Sequence, residues 1–148
     1  MVSTPNLQAQ LSYELAVYRE QINMLRRETE RVSLTTIDLT NALATVESLS
    51  EEQALVPIGG GVLINAALTN TSVLMPIGAG YLVNMKKETA SLELNRRIDA
   101  TKRAVEKLTD EFNKINHKLK EVASQLESIQ SQTKITKQAE ENTREDYV

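Results

Sequence analysis

Few residues in this chain have the types and spacing that chemistry requires. Gly78-Ala79-Gly80 resembles the start of a phosphate-binding loop, but position 83 is Val where the G-x-G-x-x-G motif needs Gly. His117 is the only histidine, and there is no cysteine to share a metal or act as a nucleophile. The carboxylates are spread along charged segments, with no pair placed for acid–base work. We therefore predict no catalytic residue, no metal site, no cofactor and no enzymatic activity.

Net charge and hydropathy argue against nucleic-acid partners and against a membrane span. The formal net charge is −3, whereas a general nucleic-acid binder is normally basic. The apolar runs are far shorter than the roughly 18 residues that a membrane span needs, and the first six residues lack the basic and apolar parts of a secretory signal. We therefore expect no nucleic-acid partner, no membrane span and a cytoplasmic location, which the absence of cysteine fits.

The basic residues of the second half are matched by acids. Several acids stand four residues before a base, the orientation that favours ion pairs on a helix surface. These pairs are Glu93–Arg97, Asp99–Arg103 and Asp110–Lys114. The most basic segment, 96–103, therefore indicates a solvated ion-pair face rather than a nucleic-acid patch.

Two long segments carry the repeating pattern of a coiled coil. Between 11 and 46, and again between 94 and 129, apolar residues recur at alternating steps of four and three, with Thr at the few exceptions. This 3.5-residue period is typical of a left-handed coiled coil. We call the row of residues that follows it the seam. We predict a first helix over 5–52 and a second over 87–138, followed by a flexible polar tail over 139–148.

The segment between the helices holds all five glycines and two of the three prolines. It contains a repeat, P-I-G-x-G-x-L-[IV]-N, whose copies begin at Pro57 and Pro76. Each copy indicates strand, turn and strand, because glycine supplies the positive φ that a hairpin turn requires. We therefore predict two β-hairpins over 54–86. Their strands are expected near 55–58, 62–68, 73–77 and 81–85. Their turn residues are expected to be Gly59, Gly61, Gly78 and Gly80.

The predicted fold is mainly α: a long antiparallel two-helix coiled coil joined by two central β-hairpins, in a single domain of residues 1–148. Isolated hairpins are marginal in water, and exposed apolar strand edges aggregate unless other chains cover them. We therefore expect an obligate oligomer in which hairpins from several subunits form a shared β structure. The residues expected to hold it together are Val62, Ile64, Val73, Leu82 and Val83.

The element L-V-P-I-G-G-G, from Leu55 to Gly61, and the element P-I-G-A-G-Y, from Pro76 to Tyr81, lie between heptad repeats. In this combination the chain resembles the alpha-type subunit of prefoldin, most like the archaeal form, over nearly its whole length. The resemblance implies a hetero-hexamer of two alpha-type and four beta-type subunits, with a double β-barrel body and coiled-coil arms. It further implies an ATP-independent holdase chaperone that captures unfolded polypeptides between the coiled-coil tips and delivers them to a group II chaperonin.

Apolar residues off the seam are candidates for contact with unfolded clients. On the first helix, Tyr13, Val17 and Met24 recur at spacings of four and seven, on a face turned away from the partner helix. Exposed apolar groups indicate a binding surface, and methionine suits varied partners because its side chain is flexible and polarisable. Single exposed apolar residues are also common without any role. Leu7 and Ile135, near the helix ends, are further candidates.

Two other functions fit the same pattern. A coiled-coil tether or adaptor would use its hairpins for oligomerisation and its helices as a spacer. An accessory arm of an enzyme would need a separate catalytic partner. A tether would not suppress the aggregation of a denatured protein, and an accessory arm would co-purify with its enzyme, so experiment separates all three.

Overall fold

The computed structural model describes residues 4–50 and 53–145. Its elements, in chain order, are α1 Thr4–Ser48, β1 Gln53–Gly59, β2 Val62–Ala67, β3 Val73–Gly78, β4 Tyr81–Met85 and α2 Lys87–Glu145. The strands form two separate antiparallel sheets, β1 with β2 and β3 with β4. The predicted fold of two long helices joined by two hairpins is confirmed.

The helices differ from the predicted bounds mainly at the end of α1 and at the end of α2. α1 ends at Ser48 rather than at 52, and β1 begins at Gln53. The last seam residue of α1 is Val46, and the Leu49 amide donates to its carbonyl oxygen at 3.2 Å, which closes the final turn. At the other end, α2 continues to Glu145 through part of the segment expected to be a flexible tail. This segment contains no Gly or Pro to stop a helix; residues 146–148 lie outside the described residues.

The chain divides into two compact units. Unit 1 comprises Met1–Glu30 and Glu106–Val148, and unit 2 comprises Arg31–Val105. Each unit therefore contains one segment of α1 and one of α2, and the two helices run in opposite directions. In unit 1 the buried apolar residues are seam positions: Leu11, Ile22 and Val122.

The predicted seam is the buried stripe of both helices. Every seam position from Leu11 to Val46 and from Leu94 to Ile129 is buried or half-buried. The seam threonines satisfy their own hydroxyls: Thr29 Oγ1 donates to the Leu25 carbonyl at 2.8 Å, and Thr36 Oγ1 donates to the carbonyl four residues earlier at 3.0 Å. A hydroxyl bonded within its own helix needs no partner across the seam, so threonine is tolerated there.

The core of unit 2 lies where α1, α2 and the second hairpin meet. Val46 from α1, Ala90 and Leu94 from α2 and Met75 from β3 form a buried cluster, and Ala90 is fully buried. Half-buried side chains complete it: Leu39, Leu43, Val73 and Met85. This is the one cluster within the described residues in which a strand contributes to a core.

A lysine joins the two helix ends inside unit 2. Lys87, the first residue of α2, donates its Nζ to the Leu49 carbonyl oxygen at 2.7 Å. This carbonyl follows the end of α1, where backbone oxygens lack helical partners and carry the negative end of the helix dipole. The half-buried ammonium group therefore stabilises the end of α1 and fixes the start of α2 beside it.

The two hairpin turns have the same backbone with different sequences. Three consecutive residues have positive φ in each turn, Gly59 to Gly61 and Gly78 to Ala79 to Gly80. At the central position the first hairpin has Gly60 with φ 58°, and the second has Ala79 with φ 48°. A residue with a Cβ is strained in this left-handed region, so the second turn holds strain that the first does not.

Exchanging the central turn residues is expected to have opposite effects in the two hairpins. Ala79→Gly relieves the left-handed strain and raises the free energy of unfolding by about 1 kcal/mol, whereas Gly60→Ala lowers it by about 1 kcal/mol. A Cβ built on Gly60 meets no atom within 4 Å, so the second effect is conformational rather than steric. Urea unfolding of both variants at one protein concentration measures the difference, and shifts of the same sign would contradict the proposed strain.

Removing the lysine that joins the helices is expected to destabilise unit 2. Lys87→Ala leaves the Leu49 carbonyl without its charged donor and costs about 1 kcal/mol, a fall in melting temperature of roughly 3 °C. Lys86→Ala is the matched control, because Lys86 is the exposed neighbour and its main-chain carbonyl bond to the Ala90 amide is kept. Equal melting temperatures for the two variants would show that the Lys87 bond contributes nothing.

Candidate assembly and binding surfaces

One face of the second hairpin packs against the helices of unit 2. Met75 is buried, and Val73 and Met85 are half-buried against the cluster described above. Across the strands Val73 pairs with Met85 and Met75 pairs with Val83, so these four side chains share one face of the sheet. The opposite face, which carries Leu82, is exposed. This hairpin therefore has one covered and one open face.

An arginine fastens this hairpin to α2. Arg97 donates its Nε to Glu93 Oε1 at 2.9 Å and its Nη2 to the Pro76 carbonyl oxygen at 3.0 Å. Both charged side chains are only about one third exposed. The pair was expected as a surface pair on the helix, but the structure adds a bond to β3. A charge-assisted bond to a backbone oxygen holds the strand in place against the helix.

The first hairpin lacks this support. The first hairpin has Ala54 and Ala66 at the positions that correspond to Val73 and Met85 of the second hairpin. Alanine brings less apolar area to a contact with the helices. The other two residues of the same face, Val56 and Ile64, are 38% and 46% exposed. Leucine, isoleucine and valine side chains are therefore open to solvent on both faces of β1 and β2.

Neither hairpin carries the charges that normally protect an exposed sheet. Residues 53–85 contain no Asp, Glu, Lys or Arg. Natural sheets commonly place lysine or other charges on open strands, which prevents pairing with other chains. An uncharged surface rich in exposed aliphatic side chains has the composition of an interface.

Most of the residues expected at the subunit interface lie on this open surface. Val62, Ile64 and Leu82 are exposed on it, whereas Val83, on the inward face of the second hairpin, is 38% exposed. Val73 is placed differently, since it is half-buried against the core of unit 2. Its position in the repeat is the one that faces inward in the second hairpin, where it packs against the helices of its own chain.

The off-seam residues proposed for client contact differ in exposure. Tyr13 and Met24 are 72% and 52% exposed, and Leu7 and Ile135 are also exposed. Val17 is only half-buried rather than fully turned outward. The expected apolar stripe on α1 is therefore present, with Val17 as its least accessible member.

A groove lies between the two helices of unit 1. It has a volume of about 710 Å³. Its apolar lining comes from both helices, Met24 and Leu25 on α1 and Leu108 and Ile115 on α2. Its polar lining residues are Gln21, Glu28, Glu111, Lys114 and Lys118. We call this feature the unit 1 groove; the sequence pattern alone did not indicate it.

Polar contacts around the unit 1 groove depart from the expected ion pairs. Lys114 was expected to pair with Asp110, but neither Lys114 nor Lys118 forms an ion pair with any described residue. The Oε1 atom of Gln21 is buried and has no hydrogen-bond partner. Outside the groove, in unit 2, Arg103 also departs from its predicted ion pair, because its Nε donates to the Asp99 backbone carbonyl at 3.3 Å rather than to the carboxylate.

Among the described residues, the histidine and carboxylate side chains do not gather into a metal site. His117 lies on the surface with its Nδ1 3.5 Å from Glu121 Oε1. Within 4–50 and 53–145, no group of three or more histidine or carboxylate side chains is placed to hold a metal ion. Neither described helix has an apolar stretch long enough to cross a membrane.

Comparison with known proteins agrees with this architecture. The fold is similar to the crystal structure of the prefoldin beta subunit from Thermococcus strain KS-1, with a TM-score of 0.63 and 23% identity over 86% of this chain and 96% of that one. It is also similar to a cryo-EM structure of filamentous PFD from Methanocaldococcus jannaschii, with a TM-score of 0.63 and 21% identity over 77% and 98% of the two chains. At these identities the likeness shows the fold alone.

Sequence comparison identifies the family. Prefoldin subunit alpha from Methanococcus aeolicus is 33% identical over 60 residues, 40% of this chain and 42% of that protein. Prefoldin subunit alpha from Methanobrevibacter smithii is 37% identical over 65 residues, 42% of this chain and 44% of that protein. The matched segments thus span less than half of each relative. The family model for the prefoldin subunit matches residues 18–132. The chain therefore belongs to the prefoldin family.

Proposed function

We propose that this chain is a subunit of an ATP-independent holdase chaperone. It captures unfolded polypeptides on apolar surfaces of its coiled coil, between the tips of neighbouring subunits, and delivers them to a group II chaperonin. Membership of the prefoldin family supports a chaperone function. The chain works by binding rather than by catalysis, in the cytoplasm.

The observation that carries the proposal is the division of apolar surface between two regions. The hairpins expose aliphatic side chains on an uncharged segment, and α1 exposes Tyr13 and Met24 far along the sequence from that segment. The first region is suited to subunit assembly and the second to a client. When several subunits each offer a weak apolar contact, one client chain can bind them together with far higher effective affinity.

The proposed partners follow from the two hairpins. Each hairpin presents an open apolar face that another subunit can cover, so one chain can contact two neighbours. We propose that these neighbours are beta-type prefoldin subunits, in a hexamer of two alpha-type and four beta-type chains whose hairpins form a shared β-barrel. The prefoldin beta subunit named above has a similar fold, with a TM-score of 0.63.

A coiled-coil tether or adaptor remains the second candidate function. It shares the assembly surface, and it differs only in needing no client surface on the helices. The exposure of both Tyr13 and Met24 on α1 supports the chaperone, because a client surface uses exposed apolar side chains and a spacer does not require them.

Polar substitution of the open hairpin faces is expected to dissociate the complex. Val62→Ser with Leu82→Ser removes two aliphatic side chains, each worth about 1.5–3 kcal/mol when fully buried by a partner. Native mass spectrometry and light scattering, with beta-type subunits present, measure the loss of assembly. Leu34→Ser is the control, since Leu34 is an equally exposed leucine on α1 of unit 2 outside the hairpins. An intact complex for the double variant would rule out this surface.

Client capture is expected to require the apolar stripe of α1. The wild-type complex should suppress the aggregation of a chemically denatured protein without nucleotide, which a tether would not do. Replacing Tyr13, Val17 and Met24 by Ser should weaken this suppression about tenfold or more, because each side chain contributes apolar area to the contact, while the mass of the complex stays unchanged.

The matched control for client capture replaces three exposed polar residues of the same helix by Ser. These are Gln10, Arg19 and Asn23. The control complex should suppress aggregation as the wild type does. Equal suppression by the apolar and the polar variant would contradict the assignment of the stripe to client binding.

A further inference from the structure

The unit 1 groove has an ordered arrangement of charge around its apolar lining. Because the two helices are antiparallel, Glu28 lies at the same end as Glu111, and Gln21 lies at the end of Lys114 and Lys118. One end of the groove is therefore acidic and the other is basic. A ligand that complements this groove has an apolar centre, a basic group at one end and an acidic group at the other.

The lysine end is open to a new partner. Neither Lys114 nor Lys118 has an ion-pair partner among the described residues. The two lysines are four residues apart on α2, so they lie on the same side of the helix. A carboxylate placed between them would meet two ammonium groups and break no existing ion pair.

The buried oxygen of Gln21 bears on whether the backbone of the ligand is helical or extended. Gln21 Oε1 is buried without a donor, an arrangement that costs free energy until a donor is supplied. The backbone N–H groups of a helix already bond within the helix, whereas those of an extended chain are available. An extended polypeptide can therefore supply a backbone donor to this oxygen, which the helices of a second coiled coil cannot.

We propose that the unit 1 groove is a client subsite for a short extended polypeptide segment with an apolar centre, a basic residue at one end and an acidic residue at the other. Met24, Leu25, Leu108 and Ile115 contact the apolar side chains, Lys114 and Lys118 bind the acidic residue, and Gln21 accepts a bond from a backbone N–H. This inference rests on the proposed function, in that it names the class of client segment that the coil selects.

The length of the groove sets the length of the segment. From Leu108 to Lys118 the α2 backbone rises about 15 Å, which matches roughly four to five residues of extended chain. In an extended chain alternate side chains point to the same side. Two apolar residues separated by one residue can therefore both face the groove, with the charged residues just beyond them.

Three heptapeptides, N-acetylated, C-amidated and carrying a fluorophore, test this preference. The bipolar peptide is Lys-Ser-Leu-Ser-Leu-Ser-Glu, in which both leucines and both charged residues lie on one side of the extended chain, and its two controls carry Lys at both ends or Glu at both ends. Fluorescence anisotropy with the assembled complex measures each dissociation constant. The bipolar peptide should bind at least threefold more tightly than either control, and equal affinities for the three peptides would overturn the proposal.

Variants of the full-length chain, in complexes that are otherwise identical, assign the contacts. Lys114→Gln with Lys118→Gln should weaken binding of the bipolar peptide about fivefold and remove its advantage over the control peptides. Lys120→Gln is the matched control, because Lys120 is exposed on the same helix outside the groove lining. An unchanged affinity for the double variant would contradict the subsite.

Gln21→Met provides a second readout with two opposite signs. It replaces a buried unpaired acceptor by an apolar side chain of similar length, so the melting temperature should rise. The same change removes the acceptor for the peptide N–H, so affinity for the bipolar peptide should fall at least twofold. A rise in stability without a loss of affinity would leave Gln21 with a structural role only and contradict this contact.

The aggregation assay separates this inference from the proposed function. If the wild-type complex suppresses aggregation while the lysine variants show unchanged peptide affinity, the subsite is wrong and the holdase function stands. If the wild-type complex suppresses nothing, the holdase function fails whatever the peptides show. A change in the mass of the complex for the lysine double variant would instead identify the groove as a contact between subunits and overturn the peptide proposal.

Discussion

The structure depends on how much of each hairpin the chain's own helices can cover. In the second hairpin, Val73, Met75 and Met85 reach the cluster around Val46 and Leu94, and Arg97 holds the strand by the Pro76 carbonyl. In the first hairpin the equivalent inward positions are partly occupied by alanine, and no such contact forms a core. One hairpin is therefore anchored within the chain, whereas the other leaves most of its aliphatic side chains exposed, although two-stranded sheets are marginal alone.

The helices face a related limit. A two-helix coil has one buried stripe, and within unit 1 only Leu11, Ile22 and Val122 are buried among the described apolar side chains. Residues one position away from the seam remain partly exposed. Two of them line the unit 1 groove: Met24, which is 52% exposed, and Gln21, whose buried Oε1 has no hydrogen-bond partner. The same thin packing that gives the coil little core leaves apolar surface available for binding. A small core and an exposed apolar surface thus have the same geometric cause.

Much of this architecture could be predicted from sequence because its signals are periodic or repeated. The alternating three- and four-residue steps predicted both helices and their buried seam, and the P-I-G repeat predicted two hairpins and their turns. The end of α1 was missed because the competition between a last helical turn after Val46 and strand pairing at Gln53 is a tertiary effect. The two repeat copies have the same pattern, so pattern alone did not show that Val73 packs inward; the contrast of Val73 with Ala54 was the available signal. The predicted pair of Asp110 with Lys114 does not form, because spacing on an exposed helix face favours such a pair only weakly.

The absence of charge between 53 and 85 has a thermodynamic consequence for the assembled protein. Salt screens interactions between charges, and this segment has none to screen, whereas Lys114, Lys118 and the ion pair of Arg97 with Glu93 belong to the helices. Burial of aliphatic surface is driven by water and weakens on cooling. The two classes of contact therefore answer to different solution variables. Ionic strength acts on the charged contacts of the helices, whereas low temperature weakens burial of the aliphatic side chains of the hairpins.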